Sequence, residues 1–143
     1  MPQRFVIKQL SIFLKNEPGR LASFAKMLED ESINMFAFSL AEANSFGVVR
    51  AIVDRPDEAY VKLTEMGMVV KITDVIAVKM RDEPGGLFEI AQMLGDRNIN
   101  IDYSYAYSGK GGAVLILRVD DTEEAIRSIL EGGGSLLEAS HFQ

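Results

Sequence analysis

The feature that most constrains this chain is an internal repeat, in which Pro18 aligns with Pro84 at an offset of 66 residues. The segment over 15–35 reads KNEPGRLASFAKMLEDESINM, and the segment over 81–101 reads RDEPGGLFEIAQMLGDRNINI. The identical pairs in these segments are Glu17/Glu83, Pro18/Pro84, Gly19/Gly85, Leu21/Leu87, Ala25/Ala91, Met27/Met93, Leu28/Leu94, Asp30/Asp96, Ile33/Ile99 and Asn34/Asn100. Further along, the same offset pairs Asp54 with Asp120, Glu58 with Glu124, Ala59 with Ala125 and Gly67 with Gly133. The sequence therefore predicts two copies of one small fold.

The repeat divides the 143 residues into copies over 1–72 and 73–143. Units of about 65 residues are marginally stable alone, so two of them gain stability by burying surface against each other. Ile72 is followed almost directly by the strand-like sequence that begins at Val75, which leaves no room for a flexible linker. We expect two domains that are rigidly juxtaposed.

Composition excludes several classes of protein. The chain is 48% hydrophobic and 25% charged, which is typical of a folded soluble domain. It has no cysteine, so disulfides, thiolate metal sites and cysteine catalysis are excluded. Lys71, Asp74 and Lys79 interrupt the longest apolar stretch, and no apolar leader follows Met1. We expect a cytoplasmic protein with no membrane segment.

The formal charge of −6 lies entirely in the second copy. Residues 1–72 have 9 basic and 9 acidic residues, whereas residues 73–143 have 6 and 12. An acidic surface repels phosphate backbones, so nucleic-acid binding is not expected. Solubility explains the charge more simply than a charged partner does.

The order of patterns is the same in both copies. Strand-like runs over 7–14 and 75–80 lead to a Pro-Gly turn and then to helices with apolar residues at i, i+3, i+4 and i+7 spacing. The predicted helix stripes are Leu21, Phe24, Ala25 and Leu28, and Leu87, Ile90, Ala91 and Leu94. Proline is favoured at the first helical position, so the helices are expected to begin at Pro18 and Pro84.

Two further strands and a second helix complete each copy. The strands are predicted over 35–43 and 48–53, and over 101–107 and 113–119, with a hairpin between the members of each pair. Acidic residues begin the second helices near Pro56 and Thr122. Short last strands are predicted over 69–72 and 136–139. The fold class is therefore α+β, with two ferredoxin-like βαββαβ units whose antiparallel sheets are expected to pack side by side into one larger sheet.

The turn between the first strand and the first helix is the strongest candidate for a binding site. It reads Asn16-Glu17-Pro18-Gly19 in the first copy and Asp82-Glu83-Pro84-Gly85 in the second. Glycine lets a ligand approach the backbone, and the free N–H groups of a first helical turn attract carboxylates. An ordinary helix start explains a single Pro-Gly better than a binding site does. The repetition of Glu-Pro-Gly together with the downstream Ile-Asn supports a binding role as well as an ordinary helix start.

Asn34 and Asn100 follow the first helix of each copy. Asparagine at this position can satisfy the last helical carbonyls or adopt a left-handed conformation. It can also offer a donor and an acceptor to the charged end of an amino acid.

The doubled Asn/Asp-x-Pro-Gly…Ile-Asn pattern resembles the ACT domain, a ligand-sensing module of amino-acid metabolism. The resemblance covers essentially the whole chain and is closest to stand-alone pairs of such domains. In serine-sensing members, an asparagine two residues before the proline and the asparagine that opens the second strand hold the ligand across neighbouring domains. This implies one site with Asn16 and Asn100, and another with Asp82 and Asn34. The residues implied for the sites are Asn16, Pro18, Gly19, Arg20, Leu21, Asn34 and Met35, with Asp82, Gly85, Gly86, Leu87, Asn100 and Ile101.

The two implied sites are not equivalent. Asp82 replaces the asparagine of the pattern, and its carboxylate would repel the carboxylate of an amino acid. Arg20 has Gly86 as its counterpart and is either a contact for an acidic ligand or a solvated helix residue. We therefore expect the site with Asn16 and Asn100 to be the better one.

Other residues give weaker signals. Tyr103, Tyr105 and Tyr107 alternate along one strand, which indicates packing at a sheet or dimer surface more than base stacking. The acids at 120–124 could bind a hard cation, but an acidic helix start explains them without one. His141 is the single histidine, and no nucleophile or phosphate-loop motif is present.

These observations predict a non-catalytic regulator that binds a free amino acid and needs no cofactor or metal. A homodimer and a partner enzyme are the expected protein contacts, with no nucleic acid and no membrane. The alternatives are a detached regulatory subunit resembling that of acetohydroxyacid synthase, and an enzyme in its own right.

Overall fold

The computed structural model describes residues 2–109 and 112–143. They form two compact units. The first unit contains residues 8–73 with residues 142–143, and the second contains residues 2–7 with residues 74–141. Lys110 and Gly111, at the tip of the second predicted hairpin, lie outside the described residues.

The elements follow one order in both repeats. The strands are β1 Ile7–Lys15, β2 Met35–Ala43, β3 Phe46–Val53, β4 Val69–Met80, β5 Ile101–Gly109 and β6 Gly112–Val119. The helices are α1 Arg20–Asp30, α2 Pro56–Glu65, α3 Gly86–Gly95 and α4 Thr122–Glu131, with short 3₁₀ helices at Pro2–Phe5 and Ala139–Phe142. The first half of β4 ends the first repeat, and its second half begins the second.

In the first unit, β3 pairs antiparallel with both β1 and β2. Ala51 of β3 lies opposite Leu10 of β1 and Phe38 of β2, so these side chains share the face that the helices cover. The helix-covered core consists of Leu10, Ile12, Leu14, Phe24, Met27, Leu28, Ile33, Val49, Ala51, Val53, Ala59 and Leu63. Ser11 and Thr73 are also buried but do not belong to that core. Their side-chain oxygens lie 3.0 Å apart.

In the second unit, β6 pairs antiparallel with both β4 and β5. Its core consists of Phe5, Ile76, Val78, Ile90, Leu94, Ile99, Leu115, Leu117, Val119, Ala125, Ile126 and Ile129. Most of these positions are counterparts of core positions in the first unit at the offset of 66. The predicted α+β class with two βαββαβ units is therefore confirmed.

The last strand of the second copy is shorter than the predicted range of 136–139. Only Leu136 bridges to Val78, and the chain then forms the 3₁₀ helix that ends at Phe142. Phe142 packs edge-on against Phe36 of the first unit, at 5.3 Å between ring centroids. The glycines at 132–134 favour extended structure weakly, and the burial of Phe142 draws the chain away from β4.

The predicted start of the first helices was also wrong. Pro18 and Pro84 lie in the turns, and the helices begin two residues later, at Arg20 and Gly86. The predicted apolar stripes were wrong in part as well, since Leu21 is 36% exposed and Leu87 is 56% exposed. Ala25 is also exposed, and Met27 is buried in its place. By contrast, the acidic start of α4 is confirmed, because Asp121 Oδ1 accepts a hydrogen bond from the backbone N–H of Glu124 at 3.1 Å.

The three tyrosines of β5 lie on the sheet face opposite to the helices. Tyr105 lies opposite Ile116 and Tyr107 opposite Val114, neither of which belongs to the helix-covered core. Tyr107 is half-buried, and this burial raises its pKa above the ordinary value of 10.0. The prediction that the tyrosines share one face of the sheet is thus confirmed.

Alkaline titration can test the burial of Tyr107. Because its folded pKa is raised, an unfolded chain ionises this residue first, so its contribution to stability is present below pH 10 and is lost as the pH rises further. Ultraviolet titration of the folded protein should show a late tyrosine transition that Tyr107→Phe removes. Tyr60→Phe, at an exposed position of α2, is the control and should retain that transition. A late transition that survives Tyr107→Phe would contradict the assignment.

Gly86 is required by the second turn, because a Cβ there would lie 2.0 Å from the carbonyl oxygen of Arg81. Gly86→Ala should lower the free energy of unfolding by about 1–3 kcal/mol, as overpacking does. Gly95→Ala is the matched control, because a Cβ at Gly95 meets nothing within 4 Å and alanine favours the helix. Urea denaturation measures both. Equal stability of the two variants would show that the turn relaxes without cost.

Candidate functional site

Each predicted binding turn ends at a glycine in the left-handed conformation. Gly19 has φ 89° and Gly85 has φ 96°, and they are the N-cap residues of α1 and α3. No side chain of the described residues caps either helix. The N–H groups of Arg20 and Gly86 donate to the backbone carbonyls of Glu17 and Glu83, at 3.4 and 3.1 Å. The next N–H groups of each first turn are open to an anionic group such as a carboxylate.

In the first turn, the side chains of Asn16 and Arg20 have local acidic partners. Asn16 Nδ2 donates to Glu42 Oε2 at 3.1 Å, which ties the turn to the end of β2. Arg20 Nη2 donates to Glu17 Oε1 at 2.9 Å, and both side chains are about half exposed. Because the Asn16 amide group is oriented by Glu42, its Oδ1 remains an acceptor for a ligand ammonium group.

The second turn is organised differently. Arg81 pairs with Glu83 inside the turn and with Glu89 on α3. Glu89 raises the pKa of Arg81, through a side-chain hydrogen bond first and charge attraction second. Asp82 is exposed beside this cluster. The turn therefore presents a second acidic side chain where the first turn presents an amide.

The backbones of Asn34 and Asn100 are each held by two hydrogen bonds to an aspartate. The Asn34 N–H donates to Asp54 Oδ1 at 3.1 Å, and the Asp54 N–H donates to the Asn34 carbonyl at 3.0 Å. Asn100 and Asp120 repeat the pair at 3.1 and 3.2 Å. Each pair fixes the start of the second strand against the end of the third, so the asparagine position is defined by its backbone and its side chain is exposed.

The left-handed residue at the end of each first helix is neither Asn34 nor Asn100. Ser32 has φ 54° and Asn98 has φ 57°, at equivalent positions of the repeat. The N–H of Ile33 then donates to the Leu28 carbonyl, which closes the helix. The left-handed alternative considered for Asn34 and Asn100 is therefore wrong, and their side chains are not used to terminate the helix.

The contacts of Asp54, Asp120 and Glu42 with the asparagines were not predicted from the sequence. The signal for the two aspartates was present, because they are identical at the offset of 66 and follow the third strand in each copy. Glu42 has no such signal, since its counterpart is Ser108. Its partnership with Asn16 depends on the pairing register of β2, which brings the end of that strand near the turn.

The remaining predicted residues divide between core and surface. Met35 and Ile101 are half-buried at the start of β2 and β5 and pack against the two cores. Pro18, Leu21 and Leu87 are exposed, whereas Gly86 is buried. In the described part of the chain, no group of three or more histidine, aspartate or glutamate residues could hold a metal ion. None of the described helices is long and apolar enough to cross a bilayer.

Comparison with known families decides the classification. A family model described as ACT domain pair matches residues 5–141. The chain belongs to the ACT domain pair family. ACT domains are regulatory rather than catalytic, and membership supports a regulatory, ligand-binding role.

Solved structures share the fold of this ACT domain pair. A protein from Bacteroides thetaiotaomicron is 36% identical, with a TM-score of 0.91 and coverage of 96% of each chain. The ligand-free regulatory subunit of aspartate kinase from Thermus thermophilus is 16% identical, with a TM-score of 0.64 over 90% of this chain and 95% of that one. At that identity the kinase subunit shows the fold alone. The comparison with curated proteins gave no match.

The reciprocal asparagine–aspartate pair can be tested by stability. Asp120→Ala removes the acceptor of the Asn100 N–H and should lower the free energy of unfolding by about 1–3 kcal/mol, because hydrogen bonds to charged groups contribute that much. Asp74→Ala changes an exposed aspartate of β4 and should stay within about 0.5 kcal/mol of the parent. Urea denaturation monitored by circular dichroism measures both. If Asp120→Ala is no less stable than Asp74→Ala, the pair does not hold the strand start.

Proposed function

We propose that this ACT domain pair is a non-catalytic regulator that binds a free amino acid at the turns before α1 and α3 and at Asn34 and Asn100. The observation that carries the proposal is that both repeats combine an uncapped helix start with an asparagine held by its backbone. The helix start suits a carboxylate, and the exposed amide suits an ammonium or carboxylate group.

The ligand-binding residues of the two repeats differ in charge. Asn16 is a neutral amide, and its counterpart Asp82 is an exposed carboxylate. Asn100 Nδ2 also donates to Asp102 Oδ1 at 2.9 Å, and the counterpart of Asp102 is Phe36. Unequal affinities follow, and the site that contains Asn16 is the better binder of a zwitterion. The pairing of Asn16 with Asn100 stays a prediction from the resemblance.

A partner protein would receive the signal. A ligand shifts an equilibrium between two states only by its differential affinity for them, so some partner must distinguish the states. Phe88 is 67% exposed beside Leu87 on the first turn of α3, next to a proposed ligand turn. This apolar surface favours a second candidate function, that of a detached regulatory subunit of an amino-acid biosynthetic enzyme. Co-purification with a catalytic subunit would support that candidate.

A thermal-shift screen of the twenty amino acids identifies the ligand, because a ligand that binds the native state raises the melting temperature. Calorimetry with that ligand should then give two unequal sites. Asn100→Ala should weaken binding at least tenfold, as expected when one hydrogen bond to a charged group is lost. Gln92→Ala, on the exposed surface of α3, is the control and should bind like the parent.

Three results would contradict the proposal in whole or in part. No thermal shift with any amino acid at millimolar concentration would remove the amino-acid sensor function. Unchanged affinity in a folded Asn100→Ala protein, or two identical sites by calorimetry, would remove the residue assignment while leaving amino-acid binding in place.

A further inference from the structure

The two repeats end their second helix with different residues around one shared glycine. Gly67 and Gly133 have φ +82° and +85° and follow α2 and α4. In each case the next N–H donates to the carbonyl five residues back, from Met68 to Leu63 and from Gly134 to Ile129. The backbone therefore requires glycine at the shared position alone. The first repeat reads Met66-Gly67-Met68, whereas the second reads Gly132-Gly133-Gly134.

The second unit has a cleft where its repeat has lost side-chain volume. Met66 and Met68 are replaced by glycine, and Phe24 is replaced by Ile90. In the first unit Phe24 is 1% exposed, and Met68 packs against the core. The cleft of the second unit has a volume of about 510 Å³ and lies between the end of β4, α3 and the glycine segment. That volume is in the range of small-molecule binding sites.

The glycines form one wall of the cleft. A Cβ at Gly134 would lie 2.7 Å from Cγ2 of Ile129, and a Cβ at Gly132 would lie 3.0 Å from Sδ of Met93. Larger residues at these positions would push the segment outward. The glycine run thus brings the bare backbone against the apolar side chains that line the site.

The lining combines apolar side chains with three charged residues, Lys79, Arg81 and Glu89. Its apolar side chains are Val78, Met80, Ile90, Met93 and Ile129. Arg81 and Glu89 also line the cleft, and Arg81 Nε donates to Glu89 Oε2 at 3.2 Å. Both side chains are about half exposed, so the pair presents a guanidinium and a carboxylate side by side to an entering molecule. A ligand that matches this lining has an apolar body and carries an ammonium and a carboxylate close together.

We propose that this cleft is a separate site for an apolar α-amino acid. The ligand ammonium group would bind Glu89, its carboxylate would bind Arg81, and its side chain would pack against Ile90 and Met93. Arg–carboxylate contacts are strong and directional, and flexible methionine adapts to side chains of different shape. The cleft contains neither Asn34 nor Asn100, although Gly86 of the second turn lies in its lining.

Methyl NMR of the full chain can detect ligand in the cleft directly. Titration with leucine, methionine or phenylalanine should shift the methyl resonances of Met80 and Met93, with saturable binding. Leucine should bind at least tenfold more tightly than 4-methylpentanoate or 3-methylbutylamine, because each analogue lacks one of the two charged groups. No saturable shift with any of the three amino acids would overturn the proposal, as would an analogue that binds as well as leucine.

Two variants test the cleft by different routes. Ile90→Phe introduces the residue that the first repeat packs at this position and should weaken cleft binding at least tenfold. Glu89→Ala should have the same effect through the ammonium contact, and its exposed position keeps the test valid if Ile90→Phe does not fold. Glu123→Ala, at an exposed position of α4, is the control and should bind like the parent, since Glu123 does not line the cleft. Unchanged affinity in folded Glu89→Ala would overturn the proposal.

The experiment also separates this site from the proposed function. Asn100→Ala should leave the shifts of Met80 and Met93 unchanged. Loss of these shifts in folded Asn100→Ala would assign the binding to the asparagine sites and overturn the cleft. A further outcome is that the asparagine variants retain the shifts of Met80 and Met93 and change no other binding. That result would support the cleft and count against the asparagine sites.

Discussion

Both units depend on one reciprocal hydrogen-bonded pair between the start of the second strand and the end of the third. The asparagine N–H donates to the aspartate carboxylate, and the aspartate N–H donates to the asparagine carbonyl. The pairs are Asn34 with Asp54 and Asn100 with Asp120. Each pair lies at the strand junction, just before the second helix begins. It therefore fixes the position of both the exposed asparagine and the second helix. The geometry of the proposed binding site and the packing of the second helix depend on the same hydrogen bonds.

That constraint explains why the repeats keep a common backbone while their side chains differ. The left-handed residues that end or begin helices recur at equivalent positions: Gly19 and Gly85, Ser32 and Asn98, Gly67 and Gly133. Only the glycine pairs are identical in sequence. Serine and asparagine at 32 and 98 show that a left-handed position tolerates more than one residue when the following residue, Ile33 or Ile99, is buried in the core.

Much of the fold could be predicted because repetition and hydrophobic period agree. The helix and strand order, the hairpins and most core positions follow from those two signals. The early end of the last strand of the second copy could not be predicted from Leu136 and its neighbours, because the packing of Phe142 against Phe36 joins residues more than a hundred positions apart. The helix start was missed because proline suits a turn as well as a first helical position, and only the φ of Gly19 decides between them.

The candidate site was less predictable than the fold, since its chemistry depends on contacts between distant residues. Asn16 was visible in the sequence, but its partner Glu42 was not, and the orientation of the amide depends on that partner. The same holds for the ion pair of Arg81 and Glu89, which joins the second turn to α3. Because the shared backbone fixes where these groups stand, a single substitution can change the charge of one repeat without disturbing the other. Duplication followed by such substitutions accounts for two units of one fold with unequal surfaces: an amide and an arginine at the first turn, a carboxylate and an open cleft at the second.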